Sequence, residues 1–445
     1  MSIDPSIFKS YSIIGTMDKL SVELAEKVGA AVVHVTGAKT VAVGRDMRLS
    51  SPELAAGVIR GITNQGAKAV DIGMCTTTMY SFAVSDYDDI EASVMITASH
   101  NPAEYNGIKM NDSTGFPLSG ESMKDAVMEK EYPAVAEVGE VERREIMDDY
   151  LKKVFDLAKV PSLKGMKVAV DAGNGMSGIT LVKMFERMDA EFYPLYLEPD
   201  GNFPNHEANP VKEETLTDLK NKIREIGADF GAAFDGDGDR IGFVDDQGET
   251  VRGDILLAML ATEYLKDHPG GKVYTAVNQS WIVRDAVEAA GGKVVMNKVG
   301  RTHAVKWMKS EGGVLGGEVS GHFFFKEFND LESSEFVFLM VLKMVAEQGK
   351  PFSEIMAPYR KYIGSGEINF EVEDKQGTIQ KLEDKFKPES NKFIDIDGIR
   401  LEFDDWWFNV RASNTEPLIR LTVEAKTQEL LDTKTQELTE LITNA

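Results

Sequence analysis

Three aspartates alternate with glycines in the stretch DGDGDR, where Asp235, Asp237 and Asp239 follow the apolar run FGAAF. Three carboxylates packed this tightly repel one another unless a cation sits between them. Oxygen-only donors suit a hard divalent ion such as Mg²⁺ or Ca²⁺. The intervening glycines let the backbone fold tightly enough for the carboxylates to converge. An EF-hand calcium loop would need Gly where Arg240 stands and Glu where Asp246 stands. The EF-hand reading therefore fails, and a hard divalent ion remains the expectation, with a solvated acidic turn as the alternative. Mg²⁺ usually comes with substrate phosphates, so the motif points towards phosphoryl chemistry.

A second stretch, SVMITASHNP from Ser93 to Pro102, is a strand-like run that ends in Ser99 and His100. A serine hydrolase needs a base within reach of the hydroxyl and a third group to orient it. Neighbouring residues at a strand end point apart, and the G-x-S-x-G elbow is missing here. A phosphorylated Ser99 would instead carry about −1.5 to −2 charge and offer oxygens to a metal. The alternative makes Ser99 the N-cap of a helix over NPAEY. Two further loops carry polar side chains. In GEVSGH, Glu318 and Ser320 face the same side if the chain is extended, a pair able to hold vicinal sugar hydroxyls. In RASNTEP, Arg411, Ser413, Asn414 and Thr415 form a donor-rich loop suited to a terminal phosphate. Each of these two loops could also be a surface turn. A fifth stretch, GNGMSG, puts Gly173, Gly175 and Gly178 between a strand and a helix, with Glu198 about 20 residues on, the outline of a dinucleotide fingerprint. Tight strand–helix packing is the other reading of those glycines.

Alternating strand and helix patterns must position these loops. KTVAVGRD, KAVDIG and ASVMITASH read as strands with helical segments between them. MKVAVDAGNG, EFYPLYL and ADFGAAFDGDGD repeat the order, and so do GKVYTAVN, KVVMNKVG and VLGGEVSGH. Strands alternating with helices argue for parallel sheets covered on both faces. In each unit the last strand delivers a polar loop, and open α/β sheets place ligands at the carboxyl ends of their strands. The pattern after about residue 363 changes to antiparallel-type alternation followed by an amphipathic helix. The expected fold is α/β: three similar mixed α/β/α domains around a shared cleft, plus a C-terminal α+β domain. Their boundaries are read as 1–152 for the phosphoserine domain, 153–254 for the metal-binding domain, 255–362 for the sugar-binding domain and 363–445 for the C-terminal phosphate-binding domain.

The chain has 445 residues, a formal net charge of −24 and one cysteine, Cys75. The charge argues against nucleic-acid and membrane partners, while a local basic cluster can still hold a small phosphorylated ligand. A single cysteine excludes an intrachain disulfide framework and favours a reducing, cytoplasmic setting. No apolar run approaches the length of a membrane span.

The four loops TASHNP, DGDGDR, GEVSGH and RASNTEP, in that order, resemble the α-D-phosphohexomutase superfamily, in particular its bacterial and archaeal phosphomannomutase/phosphoglucomutase group. The resemblance covers essentially the whole chain. It implies an isomerase that moves phosphate between the 1- and 6-positions of mannose and/or glucose phosphate, through a phosphoserine and a hexose 1,6-bisphosphate that also serves as activator. It implies that Ser99 carries the phosphate and that Asp235, Asp237 and Asp239 bind one Mg²⁺ with it. His100 and Lys109 would sit beside it, Lys109 as proton shuttle, and Arg240 would steady the reacting groups. Glu318, Ser320 and His322 would meet the sugar and the transferred group, and Arg411, Ser413, Asn414 and Thr415 the other phosphate. The resemblance is compatible with a monomer or a homodimer. Several positions depart from the family pattern. Ile14 in YSIIG replaces an arginine, Arg301 stands where many relatives have a histidine, Asn278 occupies a place often held by a basic residue, and FNDLESSEF replaces an Asp-Asp-Gly segment. These departures bear on substrate identity, so phosphoglucosamine mutase activity and a weakened sugar-phosphate binding protein are the alternatives.

Overall fold

The structure, a computed structural model, describes residues 3–413 and 418–444. The chain forms two compact units, Met1–Arg252 with Ser320–Ile355, and Gly253–Val319 with Met356–Ala445. Among the described residues no helix is long and apolar enough to cross a membrane.

The first unit contains two sheets built on the same plan. In one, Thr40–Arg45 lies between Lys68–Met74 and Ala92–Ile96, all parallel. In the other, Lys167–Asp171 lies between Glu191–Leu195 and Phe230–Phe234, again all parallel. The second unit repeats the arrangement, with Lys272–Ala276 between Lys293–Asn297 and Gly313–Gly317. The triple strand–helix–strand repeat expected from the sequence is therefore present. Covering helices explain why Ala92–Ile96, Phe230–Phe234 and Gly313–Gly317 are buried along their whole length, as parallel strands with two protected faces are.

The structure adds antiparallel returns that the alternation did not suggest. Ala92–Ile96 turns back into Tyr105–Asn111, pairing Met95 with Lys109. Phe230–Phe234 turns back into Ile241–Asp245, pairing Phe234 with Ile241. The serine and aspartate motifs thus sit at the tips of hairpin-like returns. No helix follows TASHNP, so the N-cap reading of Ser99 is corrected: the chain from Thr97 leads into a strand. The strand of the third repeat ends at Gly317, so Glu318 and Ser320 lie in a turn and the extended-strand premise for that pair is also corrected.

The C-terminal part of the second unit is a five-stranded antiparallel sheet in the order Ile363–Glu371, Leu418–Ala425, Trp406–Ala412, Ile399–Glu402, Lys392–Ile394. Helices Lys375–Phe386 and Gln428–Thr443 cover a core that includes Leu382, Phe386, Phe408, Leu421 and Leu438. This is the expected α+β domain.

Candidate active site

Ser99 takes a left-handed backbone conformation, with φ 52°. That region costs a non-glycine residue energy and persists only where the surroundings impose it. Here the surroundings are Arg48. Its side chain is fully buried, and all five of its N–H groups are used. Nε donates to Asp46 Oδ2 at 3.2 Å. Nη1 donates to the carbonyls of Pro102 at 2.6 Å and Tyr105 at 2.9 Å. Nη2 donates to the carbonyls of Ser99 at 2.9 Å and Asn101 at 2.6 Å. One guanidinium therefore staples the whole loop. Lysine carries the charge but offers three donors from one point instead of a planar fork. Arg48→Lys is expected to leave two of these five contacts unmade and to cost about 2–6 kcal/mol at roughly 1–3 kcal/mol for each orphaned group. Urea denaturation measures the loss.

The hydroxyl that this loop presents meets the aspartates. Ser99 Oγ donates to Asp235 Oδ2 at 2.8 Å and lies 3.2 Å from His100 Nδ1, so the expectation that these two neighbours point apart is corrected: the loop has left the extended conformation at Ser99. Asp235 folds its own loop, with Oδ1 accepting from the backbone N–H groups of Asp239 at 3.0 Å and Arg240 at 3.1 Å. Lys109 Nζ, on the returning strand, donates to Asp237 Oδ2 at 2.6 Å and to Asp239 Oδ2 at 2.7 Å. Thr77 Oγ1 donates to Asp237 Oδ2 at 2.6 Å. Arg240 Nε lies 3.8 Å from Asp235 Oδ2 and 3.9 Å from Asp239 Oδ1, and donates to His322 Nε2 at 3.3 Å. His322 Nε2 is 3.3 Å from Asp239 Oδ1, and its Nδ1 is 3.1 Å from Ser320 Oγ.

The electrostatics of this cluster are compatible with a bound cation. All three carboxylates are buried, and their oxygens converge within 4.8 Å. Burial first, then the charges of Asp237 and Asp239, push the Asp235 carboxyl well above the usual carboxylate range. Asp239 goes the opposite way: against its burial, Lys109, His322 and Arg240 hold it well below that range. Asp237 Oδ1 is buried with no hydrogen-bond partner. Buried anions are retained when paired or bound to metal, so the donor set fits a hard divalent cation. Asp239, His322 and Glu332 form a second converging group, but Arg240 Nε already donates to His322 Nε2. The all-oxygen trio is therefore the better cation site. His100 is half-buried, and desolvation followed by the Arg240 charge pulls its pKa down to about 3. Its imidazole is neutral near pH 7.

The remaining expected residues lie in the second unit. Glu318 is buried and accepts from the Gly300 N–H at 2.7 Å. Arg411 Nη2 donates to Glu367 Oε2 at 2.8 Å. Ser413 is buried, and its N–H donates to the Leu418 carbonyl at 2.8 Å. Asn414 and Thr415 lie outside the described residues.

The glycines of GNGMSG are taken up by packing. A Cβ on Gly175 would meet the carbonyls of Asp235 and Gly236 at 2.9 Å, and one on Gly178 would meet the Leu197 carbonyl at 1.8 Å. The Met176 N–H donates to the Gly236 carbonyl at 2.9 Å. The loop that resembles a pyrophosphate cradle is backing for the aspartate loop. Reasoning from sequence missed this role, as it missed Thr77, Gly236 and the stapling part that Arg48 plays. A weak signal existed only for Arg48, in the charged run GRDMR.

Models of the phosphoglucomutase/phosphomannomutase family match the chain in four consecutive stretches. They are α/β/α domain I over residues 5–132, domain II over 148–248, domain III over 252–362 and the C-terminal domain over 367–441. A phosphomannomutase/phosphoglucomutase of Pseudomonas aeruginosa is 35% identical over 97% of this chain and 94% of its own. A probable phosphoglucosamine mutase of Methanopyrus kandleri is 36% identical over 92% of this chain and 91% of its own. A crystal structure of a phosphoglucomutase/phosphomannomutase family protein from Burkholderia thailandensis superposes with a TM-score of 0.91 at 29% identity, covering 99% of this chain and 98% of that one. With all four domain models matched in order and relatives above 30% identity along nearly the full length, the chain belongs to the phosphoglucomutase/phosphomannomutase family of isomerases.

Proposed function

We propose that this phosphohexomutase interconverts the 1- and 6-phosphates of mannose and/or glucose through a phosphoryl group carried on Ser99. The observation that carries the reading is the contact of Ser99 Oγ with Asp235 in a buried loop of three carboxylates. Asp235, Asp237 and Asp239 would hold Mg²⁺ together with an oxygen on Ser99. When bound, that ion supplies the neutralisation a transferring phosphoryl group requires.

The chain's own residues then divide the work. The bond between phosphorus and Ser99 Oγ breaks as a bond forms to the free hydroxyl of the hexose phosphate, giving a hexose 1,6-bisphosphate. The proton leaves the sugar hydroxyl, and Ser99 Oγ takes one up, with Lys109 Nζ as shuttle. Arg240 steadies the reacting phosphoryl. His100 is neutral beside an unmodified serine, and the charge of a phosphoserine would raise its pKa. After the bisphosphate reorients, its other phosphate returns to Ser99, so added bisphosphate activates the enzyme by rephosphorylating it. Glu318, Ser320 and His322 are assigned to the sugar and Arg411, Ser413, Asn414 and Thr415 to the distal phosphate. This assignment keeps the four-domain division at residues 152, 254 and 362. A cytoplasmic setting accords with the single, buried Cys75.

SNTEP at Ser413–Pro417 and the valine in GEVSGH favour mannose and glucose. The relative from Methanopyrus kandleri favours glucosamine as a second reading. A coupled assay with the 1-phosphates of mannose, glucose and glucosamine side by side decides between them. Turnover of mannose or glucose phosphate well above that of glucosamine phosphate is expected. Turnover of glucosamine phosphate alone would contradict the substrate assignment. Binding without turnover of any of the three, with Mg²⁺ and bisphosphate present, would contradict the activity.

A further inference from the structure

The segment FNDLESSEF, Phe328–Phe336, departs from the family pattern and has no part in the chemistry above. Within the first unit it forms a chain of polar contacts behind the aspartate loop. At its start, Asn329 adopts a left-handed conformation with φ 58°, which asparagine tolerates better than most residues. Its Nδ2 donates to the Thr114 carbonyl at 2.7 Å and to Ser85 Oγ at 3.2 Å. At its end, helix Ser334–Gln348 begins with Ser333 as N-cap, whose Oγ accepts from the Phe336 N–H at 3.2 Å. Ser334 Oγ donates to the carbonyl of Gly238, at 2.5 Å. Gly238 stands between Asp237 and Asp239, the middle of the proposed metal loop.

Glu335 is the centre of this arrangement. It is fully buried, and its carboxyl accepts from three other helices. Tyr150 Oη, on helix Met147–Ala158, donates to Oε2 at 2.6 Å, and Thr78 Oγ1, on helix Thr77–Asp86, at 3.1 Å. Thr180 Oγ1, on helix Ser177–Phe185, donates to Oε1 at 3.0 Å. Ser334 Oγ lies 3.1 Å from Oε2. Two of these helices bear on the metal loop. Thr78 adjoins Thr77, whose hydroxyl donates to Asp237 Oδ2 and whose N–H donates to the Asp237 carbonyl at 2.8 Å. Thr180 follows the glycine loop that backs Asp235 and Gly236. The four partners named above are all hydroxyl groups, and burial pushes the Glu335 carboxyl up from the ordinary value.

We infer that Glu335, with Ser334, is a positioning residue for divalent-ion binding: it fixes the helix ends that aim Asp237 and seat the Gly238 carbonyl. The inference rests on the reading of Asp235, Asp237 and Asp239 as the metal ligands. Outer partners that orient metal ligands contribute to affinity by this route.

Titration calorimetry with Mn²⁺ on the full chain tests it, alongside thermal unfolding without metal. Glu335→Ala is expected to weaken Mn²⁺ binding about tenfold, the low end for loss of an outer partner. Glu335→Gln keeps an acceptor oxygen for Tyr150, Thr78 and Ser334 and can donate to Thr180, so it is expected to restore binding close to the parent value. Ser334→Ala removes the donor to Gly238 together with the contact to Glu335 Oε2 and is expected to weaken binding while leaving the unfolding temperature near the parent's. A lower unfolding temperature in Glu335→Ala with unchanged Mn²⁺ affinity would overturn the inference, as would unchanged affinity in Ser334→Ala. If Glu335→Ala fails to fold, Ser334→Ala decides. Absence of Mn²⁺ binding in the parent would instead defeat the metal reading itself.

Discussion

Ser99→Ala is expected to abolish interconversion of the 1- and 6-phosphates while the protein stays folded. Removing the group that carries a covalent intermediate typically costs on the order of 10⁴–10⁶ in kcat, because no neighbour can replace it. His100 has no hydroxyl, and that of Thr97 is turned to the Ser99 backbone. Thr97 Oγ1 already accepts from the Ser99 N–H at 2.9 Å. The structural cost is small by comparison. Alanine loses the donor to Asp235 Oδ2, which leaves that buried oxygen with only the distant Arg240 Nε and costs about 1–3 kcal/mol. The Arg48 staple acts on backbone carbonyls and survives the change. A steady-state assay and a denaturation curve on the same preparation separate the two effects. Activity lost in step with folding would point to a structural serine.

Gly236→Ala is the second large effect expected, and it tests a backbone contact. A Cβ at position 236 would lie 2.4 Å from the Ser99 carbonyl oxygen and 3.2 Å from its carbon. Ordinary Cβ contacts begin near 3.4 Å, so the two loops must part by about 1 Å. The Ser99 carbonyl cannot yield alone, because Arg48 Nη2 holds it at 2.9 Å and the rest of that guanidinium is bonded elsewhere. The movement therefore falls between Ser99 Oγ and Asp235, the pair that must share the phosphoryl. A misplacement of about 1 Å at a reacting centre costs roughly 100-fold in rate, with about 1–3 kcal/mol of stability lost to overpacking. In Gly236→Ala, kcat is expected to fall by that factor and KM for hexose phosphate to stay near the parent value. A kcat close to the parent's would show that the close approach of these loops is not required.

Much of this arrangement is legible in the residues themselves, and the reasons for the remainder are physical. The repeat of strands and helices is readable because burial on both faces leaves apolar runs such as FGAAF and ASVMI. The convergence of Asp235, Asp237 and Asp239 is readable because carboxylates so close in the chain repel one another unless positive charge stands between them, and Lys109 Nζ stands between two of them. The antiparallel returns at Tyr105 and Ile241 leave no comparable mark, since a buried strand looks alike in either direction. Partners far apart in the chain are equally silent. Thr77 and Asp237 lie 160 residues apart, and Arg48 reaches carbonyls that any residue type would supply. GNGMSG was ambiguous for a different reason: glycine permits close approach equally by a pyrophosphate or by the backbone of Asp235. Glu318 and Ser320 invited a strand reading that the turn after Gly317 does not support.

The central claim is a phosphoryl group on Ser99, and peptide mass analysis addresses it most directly. The protein, treated with a hexose 1,6-bisphosphate and Mg²⁺, is expected to carry one phosphoryl group on the peptide containing Ser99. That group is expected to leave on addition of excess hexose monophosphate. An actively turning-over enzyme that is unmodified at Ser99, or phosphorylated at another residue instead, would contradict the account.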